Sequence, residues 1–461
     1  MKKITFLFLL CSSAAFGQWD SVKNGFKGGY PFGVTVYTQA VYNGNLYFGG
    51  QFDTVDGIPA SGLAEWDGTS WSVFSKLCIN CTAIASTVYN GNLVVGGLID
   101  SIDNVPYKSI AQWNGTNWSS IGSGINAGFG VQALAVYNGN LYAGGVFNLG
   151  IGNPNSIAMW NGSIWVALGN GLYNKGQSFN SAFKTGGAVF ALAVYNGKLY
   201  AGGKFDSAGT VAATNLAVWD GATWSAVGTG FSDSTIGALA VFNNELYAGG
   251  FLGTYNNSIG VIDKWNGTSW SPVGSGFTGT IHNSSKVFSL CVYQSKLVAG
   301  GIFDSIGGIE ANDIAYWNGT NWGIISFGID GQVSTVGSYN SQLYAAGKFG
   351  LLGNAVPANN VTVCSGTLGI NDVKTGSEEA SLYPNPNNGI FQIQANSYQL
   401  MANSQIAVYN MLGEKIANSQ WPSANSQIQI NLSGHPAGVY LYRITSETGD
   451  LVSTGKFVIE K

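Results

Sequence analysis

Arginine is nearly missing from this 461-residue chain, and the only one is Arg443, close to the C-terminus. Nothing ahead of it can clamp a carboxylate or phosphate through two parallel N–H donors. Histidine is nearly missing too, with only His282 and His435, so no imidazole cluster can build a metal centre. Charged residues are 9% of the chain, against roughly 25% in an average protein. The net charge of −4 leaves no basic footprint, which excludes nucleic acid as a partner. Beyond the first residues no apolar run approaches the ~20 positions of a membrane span. What the chain has in excess is glycine (67 residues) and aromatics (13%). That composition suits many short strands and tight turns and does not suit disorder.

Met1-Lys2-Lys3, the apolar run Ile4 to Leu10 and Ala15-Phe16-Gly17 have the order of a secretory signal peptide, residues 1–17, with cleavage before Gln18. Cys11 would suit a lipoprotein only with a small residue before it, and Leu10 is bulky. Cys78 and Cys81 form a Cys-x-x-Cys, most simply a local disulfide in an oxidising compartment. A zinc site would need a second ligand pair, and a redox motif would need a βαβ setting. Cys291 and Cys364 stand alone in strand-like runs, as small buried side chains.

One unit organises the rest. Ala133 to Trp165 runs through Ala-Leu-Ala-Val-Tyr, an Asn138-Gly139 turn, a return strand with Gly144-Gly145, a variable loop, and Trp160-Asn-Gly-x-x-Trp165. Its hairpin recurs at Val41, Val88, Val136, Val194, Val241, Val292 and Ser338, with spacings of 47, 48, 58, 47, 51 and 46 residues. A period of this length signals a propeller or a solenoid. Asn-Gly between alternating apolar runs is a strong hairpin signal, because both turn positions need positive φ. The Gly-Gly would let a neighbouring backbone or indole come close. Each unit supplies four strands, the content of a propeller blade.

The ends of the array decide between ring and solenoid. Asn359-Asn-Val-Thr-Val-Cys364 aligns with Asn312-Asp-Ile-Ala-Tyr-Trp317, but no fourth strand follows Cys364. Trp19-Asp-Ser-Val-Lys-Asn-Gly-Phe26, at the other end, matches the Trp224 run. The expected fold is therefore all-β: a seven-bladed β-propeller over 18–366, closed by its N-terminal strand. A solenoid would leave an unpaired edge at each end. The tight turns fall on one face. Variation gathers on the other, in an insertion at Leu172 to Ala188, in Thr278 to Lys286 with His282, and in the connection holding Cys78 and Cys81. Such loops are where binding resides, or are tolerated length variation.

After a polar linker, 367–380, residues 381–461 read as the strands of a small β-sandwich. This segment resembles the type IX secretion sorting domain. The matching residues are Tyr383-Pro384-Asn385-Pro386 with Gly389, Val408-Tyr-Asn-Met-Leu-Gly413-Glu-Lys-Ile416, Gly438-Val-Tyr-Leu-Tyr-Arg443, and the closing Gly455-Lys456-Phe-Val-Ile-Glu-Lys461. The resemblance implies passage across the outer membrane, with the secretion machinery as partner and the cell surface or the exterior as destination. The repeats are similar to Kelch and galactose-oxidase-like propeller repeats and to the Gly-Gly-x-Phe…Ala-x-Trp repeats of fungal cortical polarity markers. That likeness implies a fold, not an activity. A copper oxidase of the galactose-oxidase type would need more histidine, and a sialidase-type propeller would need arginines that are missing.

The remaining chemistry rests on repeated aspartates after the Gly-Gly strand: Asp53 with Asp56, Asp100 with Asp103, Asp206 and Asp304. Ringing the variable face, they could bind Ca²⁺ or sugar hydroxyls, or act as a glycosidase pair. Equally, each could cap its own loop through a backbone hydrogen bond. Asp67-Gly-Thr-Ser-Trp71 reads as a turn, and the tryptophans read as blade core. The expected function is a surface binding or adhesion module for carbohydrate or protein, without catalysis and with no cofactor beyond Ca²⁺. The alternatives are a polysaccharide hydrolase or lyase using those aspartates, and a structural surface-layer component.

Overall fold

A computed structural model describes residues 18–29, 33–147, 149, 156–174, 187–231, 234–252, 262–274, 277–278, 285–326, 328–352, 357–366, 368, 380–395, 404–410, 414–420, 427–445 and 451–461. Every regular element among them is a β-strand. The chain divides into two compact units, Met1–Leu368 and Gly369–Lys461.

The first unit consists of seven groups of four antiparallel strands, the fifth and sixth joined by the single pairing Phe251–Lys286. In the first group Thr35–Tyr42, Asn45–Gln51, Leu63–Trp66 and Trp71–Ser72 follow one another across the sheet. The seventh takes Ile329–Tyr339, Gln342–Leu352 and Val361–Ser365 from the end of the unit. Its outermost strand is Gln18–Ser21, with Trp19 opposite Cys364. Innermost strands neighbour one another in order, and the seventh returns to the first. The arrangement is consistent with the blades of a β-propeller.

Local chemistry explains the hairpins. Asn43-Gly44, Asn138-Gly139 and their counterparts take positive φ at both turn positions, which matches the twist of the flanking strands. In the tryptophan hairpin the Asx side chain stands in for a missing strand bond. Asp67 Oδ1 accepts the Thr69 and Ser70 amides at 2.7 Å, and Asn114 Oδ1 accepts those of Thr116 and Asn117 at 2.9 and 2.8 Å. Asn-Gly-Thr is thus the hairpin turn.

Each innermost strand carries a bulge opposite the Gly-Gly, or in the seventh blade opposite Ala346-Gly347. Val36 faces Gly50 and Thr38 faces Gly49, so Tyr37 is the extra residue; Ile84, Gln132, Phe190, Gly237, Phe288 and Ser334 repeat it. The two glycines have different jobs. A Cβ on the second would lie 1.9 Å from Ala188 O at Gly203 and 1.9 Å from Lys286 O at Gly301, because the bulge pushes backbone towards it. A Cβ on the first would strike the next blade, 2.5 Å from Val189 at Gly144 and 2.5 Å from Ile236 at Gly202. The innermost strands border an axial cavity of about 200 Å³.

Two hydrogen bonds tie blade to blade. The second tryptophan of five of the six pairs donates its indole N–H backwards to a carbonyl: Trp71 to Val22 O, Trp165 to Ile121 O, Trp224 to Leu168 O, Trp270 to Val227 O and Trp322 to Val273 O, at 2.9–3.3 Å, while Trp118 donates to the Ser75 hydroxyl. Trp19 makes the same bond to Ile325 O, at 3.0 Å. The hairpin tyrosine reaches forwards. Tyr137, Tyr195 and Tyr293 donate to Gly197 O, Asn244 O and Ser341 O, and Tyr339 to Gly44 O, at 2.8–3.1 Å. Both sets run from the seventh blade to its neighbours as they do elsewhere. Leu368 is buried and bonded to Gln294 Oε1, so the unit extends slightly past 366.

The second unit has a three-stranded sheet (Ala380–Tyr383, Ile390–Ala395, Gln427–Asn431) and a four-stranded one (Lys415–Gln420, Gln405–Asn410, Gly438–Thr445, Leu451–Ile459). They share one core, in which Phe391, Ile393 and Ile430 meet Ile406, Val408, Tyr442 and Phe457. Two of these strands lack apolar alternation and escape a reading of the sequence: Lys415–Gln420, rich in polar residues, and Ala380–Tyr383, cut short by Pro384.

Candidate functional site

In four blades the described residues show, opposite the tight turns, two connections meeting: the loop after the Gly-Gly strand, and the link arriving from the previous blade. In three blades they pair as a small sheet. Phe26–Lys27 pairs with Thr54–Val55, which returns as Ile58–Pro59. Leu172–Tyr173 and Phe277–Thr278 pair in the same way with hairpins beginning at Ser207 and Ser305. In the second blade the hairpin Ser101–Ile102/Val105–Pro106 receives one bridge, Leu77–Ile102.

The repeated aspartates stand at the entrances of these four hairpins. Asp53, Asp100, Asp206 and Asp304 each accept, on the main-chain oxygen, the amide seven residues on (Ala60, Tyr107, Ala213, Ala311), at 2.8–3.0 Å. Their side chains bond locally as well: Asp53 Oδ2 accepts Gly29 N–H at 2.9 Å, and Asp206 Oδ1 accepts the Ser207 hydroxyl at 2.7 Å. Asp56 and Asp103 sit at hairpin tips, each at φ 49°. Asp56 Oδ1 accepts Asn24 Nδ2–H at 2.7 Å, and Asp103 Oδ1 accepts Lys76 N–H at 2.9 Å. Asp53, Asp56 and Asp103 thereby clamp the link arriving from the previous blade. His282 lies outside the described residues.

Among the described residues, three Asp, Glu, His or Cys ligand atoms gather in one place, at Cys78, Cys81 and Asp100. The repeated aspartates therefore do not converge on a common cation. Cys78 and Cys81 are joined as a disulfide; Cys364 is buried and Cys291 partly so.

A reading of the sequence missed Asp313. At the equivalent position of two other blades stand Asn215 and Asn360. Asn215 accepts Phe205 N–H and donates to Phe231 O and Ser234 O; Asn360 accepts Phe349 N–H and donates to Phe26 O. Asp313 accepts Phe303 N–H at 2.7 Å and, with nothing to donate when ionised, takes Gly331 N–H at 2.9 Å. Burial pushes its carboxyl up to about 7, opposed by those two amides and reinforced by Asp304 and Asp330. Comparing blades column by column would have exposed the Asn-to-Asp change.

In the second unit the Tyr-Pro-Asn-Pro segment grips the last strand. Asn385 Oδ1 accepts Val458 N–H at 2.9 Å, and Asn385 Nδ2–H reaches Lys456 O at 3.4 Å. Asn387 exchanges main-chain bonds with Val458 and Glu460 and donates to Pro384 O. Tyr383 and Pro386 are exposed. Gly389 takes φ 96°, and a Cβ there would lie 2.8 Å from the Ser433 backbone. Arg443 is exposed, opposite Ala407 and Thr454, and Lys456 lies opposite Leu441. Gly438 opens that strand. Gly413 lies outside the described residues.

Residues 381–460 match the family model of the secretion system C-terminal sorting domain. No curated protein matches the chain. Among solved structures, the chain is similar to PorZ, a surface component of the type IX secretion system of Porphyromonas gingivalis. The identity is 15% and the TM-score 0.48, covering 96% of this chain and 60% of that one. It is also similar to a fungal alcohol oxidase of the AA5 family in complex with copper, at 12% identity and TM-score 0.48, over 97% and 100% of the two chains. A third is the extracellular domain of a hybrid two-component system from B. thetaiotaomicron, at 10% and 0.43, over 97% and 59%. The chain thus spans about 60% of the length of PorZ. The sorting domain indicates type IX export across the outer membrane, to the cell surface or the exterior. No helix among the described residues is long and apolar enough to cross a membrane.

Proposed function

We propose that this protein is a seven-bladed β-propeller, closed by its N-terminal strand, that acts as a non-catalytic binding and adhesion module on its loop face. Its ligand class is an extracellular carbohydrate or protein. The observation that carries this reading is the contrast between the two faces. On the turn side the same Asx turn recurs in six blades, whereas the hairpins opposite read Thr54-Val-Asp-Gly-Ile-Pro, Ser101-Ile-Asp-Asn-Val-Pro, Ser207-Ala-Gly-Thr-Val-Ala and Ser305-Ile-Gly-Gly-Ile-Glu. A fixed scaffold with one variable face is how binding loops are displayed. The aspartates' bonds to backbone amides favour anchoring of those loops over proton transfer.

The test is binding of the mature chain to a glycan and polysaccharide panel, with and without Ca²⁺. Binding that Asp53→Ala or Asp304→Ala weakens supports the reading. A panel without a hit moves the ligand to the protein class, and the release of reducing ends defeats it.

One observation favours a hydrolase as second reading. A carboxyl that burial pushes up to about 7 at Asp313, with Asp304 and Asp330 reinforcing the shift, has the electrostatics of a proton donor. Asp313→Asn separates the two: a hydrolase loses activity, while a binding module keeps its ligand.

A further inference from the structure

The Cys-x-x-Cys gains a third partner only in the folded chain. Cys78 Sγ, Cys81 Sγ and an Asp100 carboxylate oxygen lie within 4.8 Å of one another, although the sequence places Asp100 nineteen residues beyond Cys81. Asp100 arrives because Cys78 N–H donates to Ser101 O at 3.1 Å, while Asp103 holds Lys76 N–H. Each sulfur already accepts a main-chain amide, Ser101 N–H to Cys78 at 3.3 Å and Asp100 N–H to Cys81 at 3.2 Å. The tip is a formed turn, with Cys81 N–H bonded to Cys78 O at 3.0 Å and Asn80 at φ 65°. Asp100 is exposed, Cys78 half-buried and Cys81 buried, so solvent reaches the group from the Asp100 side.

We propose that Cys78, Cys81 and Asp100 form a redox-gated site for a thiophilic divalent cation, with Zn²⁺ as the best fit. This goes beyond the loop-face binding reading and does not depend on it. As a disulfide the sulfurs are closed to metal. A dithiol or phosphine reductant supplies two electrons, the S–S bond breaks, and two protons complete the thiols while the reductant is oxidised. A cation then displaces both thiol protons and takes two thiolates and the carboxylate, leaving a fourth position for water. Tetrahedral zinc, with sulfur at about 2.3 Å and carboxylate oxygen at about 2.0–2.2 Å, keeps its ligand atoms roughly 4 Å or less apart. The Asp100 oxygen lies within 4.8 Å of both sulfurs, which are bonded to each other in the disulfide and separate to ligand spacing only on reduction. Two sulfurs select against Ca²⁺ and Mg²⁺, which take oxygen. A search of the sequence for a second cysteine or histidine pair cannot find this site, because its third ligand is an aspartate from another loop.

The experiment uses the mature chain, oxidised or reduced with a phosphine that is then removed, titrated with Co²⁺ and competed with Zn²⁺. The reduced protein is expected to bind one equivalent with a thiolate-to-cobalt charge-transfer band, and the oxidised protein none. Cys78→Ser and Cys81→Ser should abolish the band. Asp100→Asn should weaken binding more than about tenfold, since even outer-sphere partners contribute that much. Asp56→Asn, at the matching hairpin of the first blade, should change nothing. Thermal melting checks that each variant is folded. Absence of the band in reduced, folded protein overturns the proposal, as does cobalt binding indifferent to Asp100→Asn. Glycan binding by the oxidised chain is untouched by either result.

Discussion

The seventh blade differs from the other six in three ways that bear on its stability. Its outermost strand comes from the far end of the unit, Cys364 stands where the others have tryptophan, and Ala346 replaces the first glycine of the pair. Cys364 and Ala346 are both fully buried. In the first six blades a Cβ at that glycine would lie 2.5–2.8 Å from the neighbour's side chain. The closing interface therefore admits a methyl group that the others exclude. Yet Trp19 and Tyr339 make the same bonds to neighbouring blades as their counterparts. The seventh group keeps those contacts although its strands come from both ends of the unit.

Removing the outermost strand of the seventh blade should have the largest effect. Deleting residues 18–26 should lower the melting temperature by on the order of 10 °C or more, or abolish cooperative melting, because it exposes a sheet edge and removes Trp19 and Phe26 from two cores. A deletion that melts like the intact chain refutes closure by this strand. Next come the glycines. Gly203→Ala places a methyl against the Ala188 carbonyl and should cost about 3 kcal/mol or more in urea unfolding. Gly202→Ala meets a side chain that can yield, at about 1–3 kcal/mol. Equal costs would show that the two glycines do not divide their work.

Smaller still is the loss of one indole bond. Trp19→Phe and Trp224→Phe should each cost about 1–3 kcal/mol by leaving a buried carbonyl unpaired. A much smaller value for Trp19 would make the closing blade the weaker one. The smallest expected effect is Asp313→Asn. The folded carboxyl titrates near 7 against 3.8 for the free side chain, so the fold prefers the protonated acid. Its contribution is complete below about pH 4 and is lost as pH rises through 7. Asparagine removes this titration but offers one acceptor to two amides, so its melting temperature relative to the parent chain should improve by roughly 2–4 °C or more between pH 4 and pH 8. A pH-independent difference refutes the titration.

Much of the scaffold was legible because its signals are local. Asn-Gly declares a hairpin, and the paired tryptophans mark the ends of two adjacent strands. Trp19 to Phe26 could be matched to the Trp224 run without knowing where it lay in space. The site was less legible. The repeated aspartates left two readings open, and only their partners, at Gly29, Asn24 and Lys76 on the arriving link, show them holding loops together. The bulges were invisible, since Tyr37, Gln132 and Gly237 share no side-chain property; the extra residue is a matter of register.

By itself the sequence determined the repeat, the four strands per unit, the turn chemistry, the need for a closing strand and the export signal. These follow from residue identity at fixed short spacing, where backbone dihedrals and side-chain periodicity settle the outcome. Tertiary structure alone decided which glycine yields to a backbone and which to a neighbouring blade. It also turned Asp313 into a near-neutral acid where two other blades have asparagine, and brought Asp100 to two cysteines. Each of those depends on through-space distance and burial, and neither is fixed until the ring closes.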